Sequence, residues 1–531
     1  LKSDPAGTVS PWRFIPLLYF MQAVPVTLVQ DVATVVYKDL GIANESITRW
    51  TSLIALPWSL QMILGPLVDL NGTKRRWITG GQLAIAAGLI LAAFALGTPR
   101  AFELSLVILG FTAVASALTN IATDGFVILS TTKNQQAKFA GFMSTFYRLG
   151  RLFGASLLVF IAGVLMRSMP AGQAWPIVFF LGTAVYGLAH LGLRPLLPRP
   201  EADIVKGDRA ETSITLRQTF ALLGTALGGY FMVNAIVRLV AHAMAVNFDI
   251  MPGWRLPEDN RIPQLMGVVE GGQIGSPVMT EVAQLAVAGT VAVLSVSAAI
   301  RWIRGREMGN ALGSFFAQER VAAILFFILF YRFGEAMVGK ITPLFLKDAV
   351  DKGGLAIANE QLGILSGGFG VIGIILGGIT GGWVVSKVGL RRAFIPLALA
   401  MHVPNVLYLL ASYRLLPMQA YDLPWLGPLS PMLGGMLFVD QFGYGFGFAG
   451  YMIYLMWVAQ RGNFVTSHYA IGTGLGALCI AIAGILSGVV QANFGYSGVF
   501  WAVLVGSIPG LLALLWIPLE DAHRSIKVSV E

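Results

Sequence analysis

Gly65-Pro66-Leu67-Val68-Asp69-Leu70-Asn71-Gly72-Thr73-Lys74-Arg75-Arg76 lies between two long apolar runs. Gly381-Gly382-Trp383-Val384-Val385-Ser386-Lys387-Val388-Gly389-Leu390-Arg391-Arg392 lies between two more. Each stretch is a short basic turn joining helices of membrane length. The same turn in both halves of one chain points to internal duplication, the plan of many membrane transporters. The second copy carries Ser386 in the place of the acidic residue, so only the first half keeps that carboxylate, Asp69.

Composition agrees. Of 531 residues, 56% are hydrophobic and 12% charged, with a mean hydropathy of +0.72. Soluble domains carry about 25% charged residues, so this chain belongs in a lipid bilayer. The net charge of +9 does not point to nucleic acid. Lys74, Arg75, Arg76, then Arg301, Arg304, Arg306, then Lys387, Arg391, Arg392 sit in short loops at alternate helix ends. That bias places those loops in the cytoplasm. Cys479, the one cysteine, excludes a disulfide framework, and the five scattered His show no ligand spacing. No metal or cofactor is implied. The polar start, Leu1 to Ser10, followed by a long apolar run, does not read as a cleavable signal peptide.

Apolar runs predict helices at about 12–37, 46–70, 76–97, 102–130, 137–166 and 174–196. A charged stretch, Arg199 to Ser213, precedes two further spans at about 217–246 and 280–303, separated by a Gly/Pro-rich loop, Pro252 to Pro277. Six more follow at about 318–347, 358–386, 391–413, 431–460, 464–492 and 496–518. The expected fold is an all-α integral membrane protein of about 14 helices: two six-helix bundles, 12–196 and 317–518, with linkers and an inserted hairpin at 197–316. An even count puts both termini on the cytoplasmic side.

The halves match beyond the turns. Tyr37-Lys38-Asp39-Leu40 is echoed by Leu346-Lys347-Asp348-Ala349, and Ala43-Asn44-Glu45 by Ala358-Asn359-Glu360. Gly125 to Gly150 and Gly450 to Gly474 share a spacing. These echoes predict parallel repeats related by an axis along the membrane normal. The hairpin lacks the pattern. It is expected to pack on the outside, with a gating or partner role left open.

The repeated turn resembles the motif between the second and third helices of the major facilitator superfamily. Within it, four segments look like the AmpG-type muropeptide permeases of the peptidoglycan-fragment and acetyl-CoA transporter family. They are Phe146-Tyr147-Arg148-Leu149-Gly150-Arg151; Tyr331-Arg332-Phe333-Gly334-Glu335-Ala336, similar to that family's Tyr-Lys-Leu-Gly-Asp-Ala; the run Asp440, Gly443, Gly445, Leu455-Met456; and Thr466 to Leu475. The resemblance covers roughly 15–190 and 320–518. It departs at Arg332 and Glu335, which stand for Lys and Asp, and at the hairpin.

Charges inside hydrocarbon cost roughly 2.5–3.5 kcal/mol each on insertion scales, so each should face the interior with a partner. Arg148 could reach Asp124 across adjacent helices, and Arg332 could pair with Glu335 at i, i+3. Glu335, Asp440 and Asp124 are the candidate proton carriers; a static ion pair is the structural alternative. Asp31 and Lys340 superimpose when the repeats are aligned at Lys38 and Lys347, so they could bridge the halves, or simply reach for water at the interface. With Asp69, Arg75, Arg76, Arg391 and Arg392 they form the expected gating set. Arg148 and Arg332 suit an anionic cargo, since a guanidinium grips a carboxylate with two hydrogen bonds. Gln22, Gln30, Asn120 and Gln441 can bind hydroxyls or amides, and Tyr147, Tyr331 and Tyr444 can stack on sugar rings.

The resulting expectation is a proton-coupled importer in a bacterial inner membrane, working by alternating access. By resemblance its cargo is an anhydromuropeptide or N-acetylglucosaminyl-anhydromuramic acid, with another oligosaccharide, a siderophore or acetyl-CoA as alternatives. Its partners are then a small molecule, protons and the lipid bilayer, not nucleic acid. A membrane sensor with a transporter-like body is the reading of another class; no nucleophile–base constellation supports an enzyme.

Overall fold

The computed structural model describes residues 9–60, 64, 68, 72–131, 133–201, 203, 216–248, 277–303, 307–423, 427–461 and 465–519. Asp69, most of the first turn, and the connections 204–215 and 249–276 lie outside the described residues.

Helix α1 spans Ile15–Asp39, α2 begins at Asn44–Ile54, α3 is Lys74–Leu96 and α4 Ala101–Ser130. Helix α5 runs through Lys133–Leu152 to Val159–Met166, and α6 is Ala171–Leu193. The hairpin is α7, Leu216–Phe248, and α8, Pro277–Ile303. Then come α9, Val321–Lys347; α10, Asn359–Val388; α11, Leu390–Ser412; α12, Pro431–Gln460; and α13, Val465–Ala513. Helix α13 is bent at Gly495, whose φ of 65° is open to glycine and strained for other residues, so it supplies two spans. Eleven stretches among the described residues have the length and apolarity to cross a membrane. The first hairpin helix adds an apolar segment, Leu227–Val240. A β-ribbon, Tyr421–Leu423 with Gly427–Leu429, follows α11.

Within the first half α1 packs on α5 and α4, and α3 on α4 and α6; within the second, α10 and α11 flank α12 and α9 lies on α13. The halves meet along two seams, α2 on α13 and the N-terminal part of α10 on α5. Small residues make those seams close. A Cβ added to Gly484 or Gly488 of α13 would strike Ser52 or Thr48 of α2 at 2.1 and 2.0 Å. On the other seam a Cβ on Gly367 would lie 1.9 Å from the Ser156 hydroxyl.

Among the described residues three π-helical turns interrupt the regular helices, at Leu28–Val32, Phe153–Leu158 and Leu365–Gly370. Helix α9 has a turn at Tyr331–Arg332 between Val321–Phe330 and Phe333–Lys347. These irregularities decide where the buried charges point.

Candidate functional site

At one end of the molecule the repeated Lys-Asp pairs meet crosswise. Lys38 Nζ lies 2.5 Å from Asp348 Oδ1, and Lys347 Nζ lies 2.5 Å from Asp39 Oδ1. All four residues sit at helix C-termini, where the helix dipole favours Lys and disfavours Asp. Each carboxylate is therefore compensated by an ammonium from the opposite half. Asparagines brace both pairs in the same way. Lys38 donates to Asn44 Oδ1 at 2.7 Å, and Asn44 Nδ2 donates to Asp348 Oδ2 at 2.9 Å. Lys347 donates to Asn359, whose Nδ2 donates to Asp39 Oδ2 at 2.6 Å. Tyr496 donates to Asp348 at 2.5 Å and Trp175 to Asp39 at 3.0 Å. Burial pushes the Asp348 carboxyl up, but the hydrogen bonds from Lys38, Tyr496 and Asn44 outweigh it and hold the group below the ordinary carboxylate range. A cavity of about 700 Å³ opens over this latch.

Behind it, at the level of the helix irregularities, lies a cluster of arginines around Tyr444. Arg332 Nη2 donates to the Tyr444 hydroxyl at 2.9 Å, with its guanidinium 4.7 Å from the Phe448 ring centre and 5.6 Å from that of Tyr451. Arg148 and Arg151, from the other half, lie within electrostatic range of the same tyrosine. Arg148 also reaches α10, where a Cβ on Gly378 would sit 3.4 Å from its Nη2. Arg151 forms an ion pair with Asp31 at 2.6 Å, with both side chains accessible, 48% and 37%. Asp31 acts electrostatically on buried Lys340, but its ion pair is with Arg151. Tyr147 lies among Arg151, Asp31 and Asp124.

Asp124 is bound within its own half, to Tyr19 at 3.4 Å and to Gln22, and not to Arg148. Gln30 is half-buried in the π turn of α1, and Asn120 is buried. Tyr331 is fully buried, stacked on Tyr451 at 5.7 Å, with its hydroxyl spent on the Gly447 carbonyl at 3.2 Å.

The second-half carboxylates form a separate buried group. Asn405 Nδ2 donates to Glu335 Oε1 at 2.7 Å, and His402 Nδ1 lies 3.8 Å from the same oxygen. Asp440 accepts from Tyr408 at 2.9 Å and from Gln441 at 2.8 Å, and it interacts electrostatically with Glu335. The i, i+3 pair of Arg332 and Glu335 is replaced by these contacts. Asn405 donates to Glu335, and Tyr408 and Gln441 to Asp440, while Arg332 acts on Glu335 only at a distance; the arrangement is suited to taking up and releasing a proton.

At the opposite, basic end the backbone N–H groups of Lys74 and Arg75 donate to the Asp203 carboxylate at 2.7 and 3.0 Å, a favourable anion at a helix N-terminus. The Arg75 guanidinium donates to the Arg194 carbonyl at 3.1 Å, and the Arg76 N–H to Thr73 Oγ1 at 3.2 Å. Arg391 and Arg392 are exposed.

Neither the latch nor the donors Asn405 and Tyr408 were singled out as functional from sequence. The Lys-Asp echo was the available signal, since duplicated charges at two helix ends can pair crosswise.

No protein-family model matches the chain. Among curated proteins, it is 28% identical over 221 residues to an uncharacterized protein of Haemophilus influenzae, 40% of this chain and 48% of that one. It is 24% identical over 206 residues to the anhydromuropeptide permease of Escherichia coli K12, 38% of each chain. A Rickettsia felis protein named as a transporter, AmpG 4, is 22% identical over 228 residues, 42% of this chain and 49% of that one. The chain spans about half the length of the curated relatives it matches. Among solved structures, a POT family transporter in complex with a thioalcohol-conjugated peptide superposes with a TM-score of 0.61 at 12% identity, covering 94% of this chain and 95% of that one. The nucleoside transporter NupG (D323A mutant) gives 0.55 at 12% identity, covering 94% and 98%. The chain has the fold of a major facilitator transporter and resembles the AmpG-type permeases.

Proposed function

We propose that this protein is a proton-coupled importer of anhydromuropeptides or N-acetylglucosaminyl-anhydromuramic acid, working by alternating access in a bacterial inner membrane. The basic turns mark the cytoplasmic end, so the Lys–Asp latch closes the outer end and both termini lie inside. The moving bodies are 12–196 and 317–518, with 197–316 inserted between them.

The observation that carries this reading is the crosswise latch. Lys38–Asp348 and Lys347–Asp39 each run from one half to the other, so parting the halves at that end must break both. Such contacts belong to one of two global states, as alternating access requires. Behind the latch, Arg148, Arg332 and Tyr444 offer guanidiniums and a ring face to a cargo bearing carboxylates and sugar. Glu335 and Asp440 supply the proton. A carboxylate that is neutral crosses a dry intermediate far more cheaply than an ionised one, so loading them from outside and unloading them inside biases the cycle inward. The cargo assignment rests on likeness to the anhydromuropeptide permease.

Uptake of radiolabelled N-acetylglucosaminyl-anhydromuramyl peptide into proteoliposomes under an imposed inward proton gradient tests the proposal. Accumulation that collapses with a protonophore supports it. Gradient-independent equilibration would sink the coupling, and specific binding with no uptake would favour the sensor.

A further inference from the structure

The inserted hairpin has no counterpart in the repeat, yet a buried charge on it pairs with Glu45, the residue next to the Asn44 brace of the latch. The Arg238 side chain of α7 is 0% exposed, with Nη1 3.0 Å from Glu45 Oε1 of α2 and Nε 2.8 Å from Glu281 Oε1 of α8. Arg49 of α2 shares this charge cluster. Around it Tyr230 donates to the Arg49 carbonyl, and its ring joins Leu56 of α2 and Ala481 and Ile485 of α13 in one apolar cluster. The hairpin therefore sits across the α2–α13 seam. Glu45 directly follows Asn44, which braces Lys38 and Asp348.

The other seam shows what Glu45 would need. Its repeat counterpart Glu360 directly follows Asn359 and pairs with Arg167 Nε of α5 at 2.6 Å. Both glutamates lie against a glycine: a Cβ on Gly163 would be 2.4 Å from Glu360 Oε2, and one on Gly488 would be 3.1 Å from Glu45 Cα. Four residues beyond Gly163 stands Arg167; four beyond Gly488 stands Ala492. Helix α13 carries no Lys or Arg anywhere in Val465–Ala513. The seam whose facing helix, α13, offers Glu45 no guanidinium is the one on which the hairpin rests; Arg49 stands on Glu45's own helix.

We propose that Arg238 of the hairpin is a positioning residue of the outer gate, taking on the α2–α13 seam the place that Arg167 holds on the α10–α5 seam. It fixes Glu45, and through it Asn44, in the closed arrangement, so the hairpin is a working part of the gate. A hairpin that only filled space beside the bundle would need no buried ion pair, since apolar side chains of similar volume do as well or better. The proposal rests on the alternating-access reading, but its test reads opening of the seam and not transport, so the two can fail separately.

The reporter is Ser52→Cys in a Cys479→Ser background. Ser52 is buried against Gly484 where α2 meets α13, so a maleimide reaches it only when the seam opens. In full-length protein in lipid nanodiscs, Arg238→Gln should raise the labelling rate at least about tenfold. Adding Ala492→Arg should bring it back toward the parent. A parental rate in Arg238→Gln, or no slowing on adding Ala492→Arg, overturns the proposal. Should Arg238→Gln fail to fold, Glu45→Gln with the hairpin intact should show the same rise, and an unchanged rate there overturns it. Ser156→Cys, on the other seam, should respond in this way to Arg167→Gln and not to Arg238→Gln.

Discussion

Lys38 meets Asp348 at 2.5 Å, and Lys347, its partner in the sequence repeat, meets Asp39 at the same distance. The two ion pairs are one contact written twice. Breaking one side of a buried pair costs about 3–5 kcal/mol, while exposed pairs contribute under about 1 kcal/mol; side-chain exposures of 6–15% place the latch between these limits. Lys38→Ala should therefore shift the open-to-closed ratio at this end about tenfold toward open, an effect of ~1.4 kcal/mol. Lys347→Ala should match it. Exchanging the charges, Lys38→Asp with Asp348→Lys, should restore closure. Spin-label distances between the ends of α1 and α9 give the readout; a swap no more closed than the single variants means these charges do not hold the end shut.

The latch should not be where pH acts. Asp348 is held below its ordinary value of 3.8 by Lys38, Tyr496 and Asn44, against the upward push of burial. A depressed carboxylate contributes its full stabilisation above the ordinary value and loses it only as pH falls through the lowered one. The Lys38–Asp348 half of the latch should thus be constant from about pH 8 to about pH 5 and weaken only below the usual carboxylate range. The same inter-helix distances followed through a pH titration check this. Opening that begins near neutrality would show that another group governs the latch.

In the proposed cycle, coupling falls to the second-half acids. Glu335→Gln keeps the size of the side chain, and its amide can still meet Asn405, but it carries no releasable proton. Gradient-driven accumulation should vanish while exchange of labelled for unlabelled cargo continues. Tyr408→Phe, which strips Asp440 of one donor, should weaken coupling less. Normal accumulation by Glu335→Gln would remove Glu335 from the proton path.

The architecture was legible because a bilayer enforces it: helix length, apolarity and basic turns repeat in plain sight. The site was legible only in part, and the reason is local geometry. Arg332 and Glu335 should share a helical face, yet the turn at Tyr331–Arg332 swings Arg332 toward Tyr444 and leaves Glu335 to Asn405. Aligning the repeats at Lys38 and Lys347 superimposes Asp31 on Lys340. The π turn Leu28–Val32 contains Asp31 and shifts its direction, and Arg151, one turn beyond Arg148, receives it. Crosswise pairing of the two Lys-Asp echoes is tertiary information; sequence displays the letters but not which copy meets which.

The repeated turn offers a stability test within adjacent residues. A Cβ on Gly381 would lie 2.5 Å from the Phe446 carbonyl of α12, whereas one on Gly382 would meet nothing within 4 Å. Gly381→Ala should force α10 away from α12 at a cost of about 1–3 kcal/mol, visible as a lower melting temperature in detergent. Gly382→Ala should melt with the parent. Equal melting of the two would mean that close helix approach is not what this glycine secures.

In the proposed cycle, cargo charge is read where the halves face each other at Tyr444. Its hydroxyl holds Arg332 at 2.9 Å, and hydrogen bonds to charged groups contribute about 1.5–3 kcal/mol. Tyr444→Phe removes that bond but leaves the ring and the Phe448 and Tyr451 faces against the guanidinium. Arg332 stays half-buried but loses its aim. Affinity for a carboxylate-bearing muropeptide should fall about tenfold or more, while a neutral amide analogue of the same cargo should bind nearly as before. Arg148→Ala, from the opposite half, should show the same discrimination with little change in melting. Isothermal titration of both ligands against both variants decides it: equal losses for charged and neutral ligands would mean that these arginines shape the cavity and do not read charge.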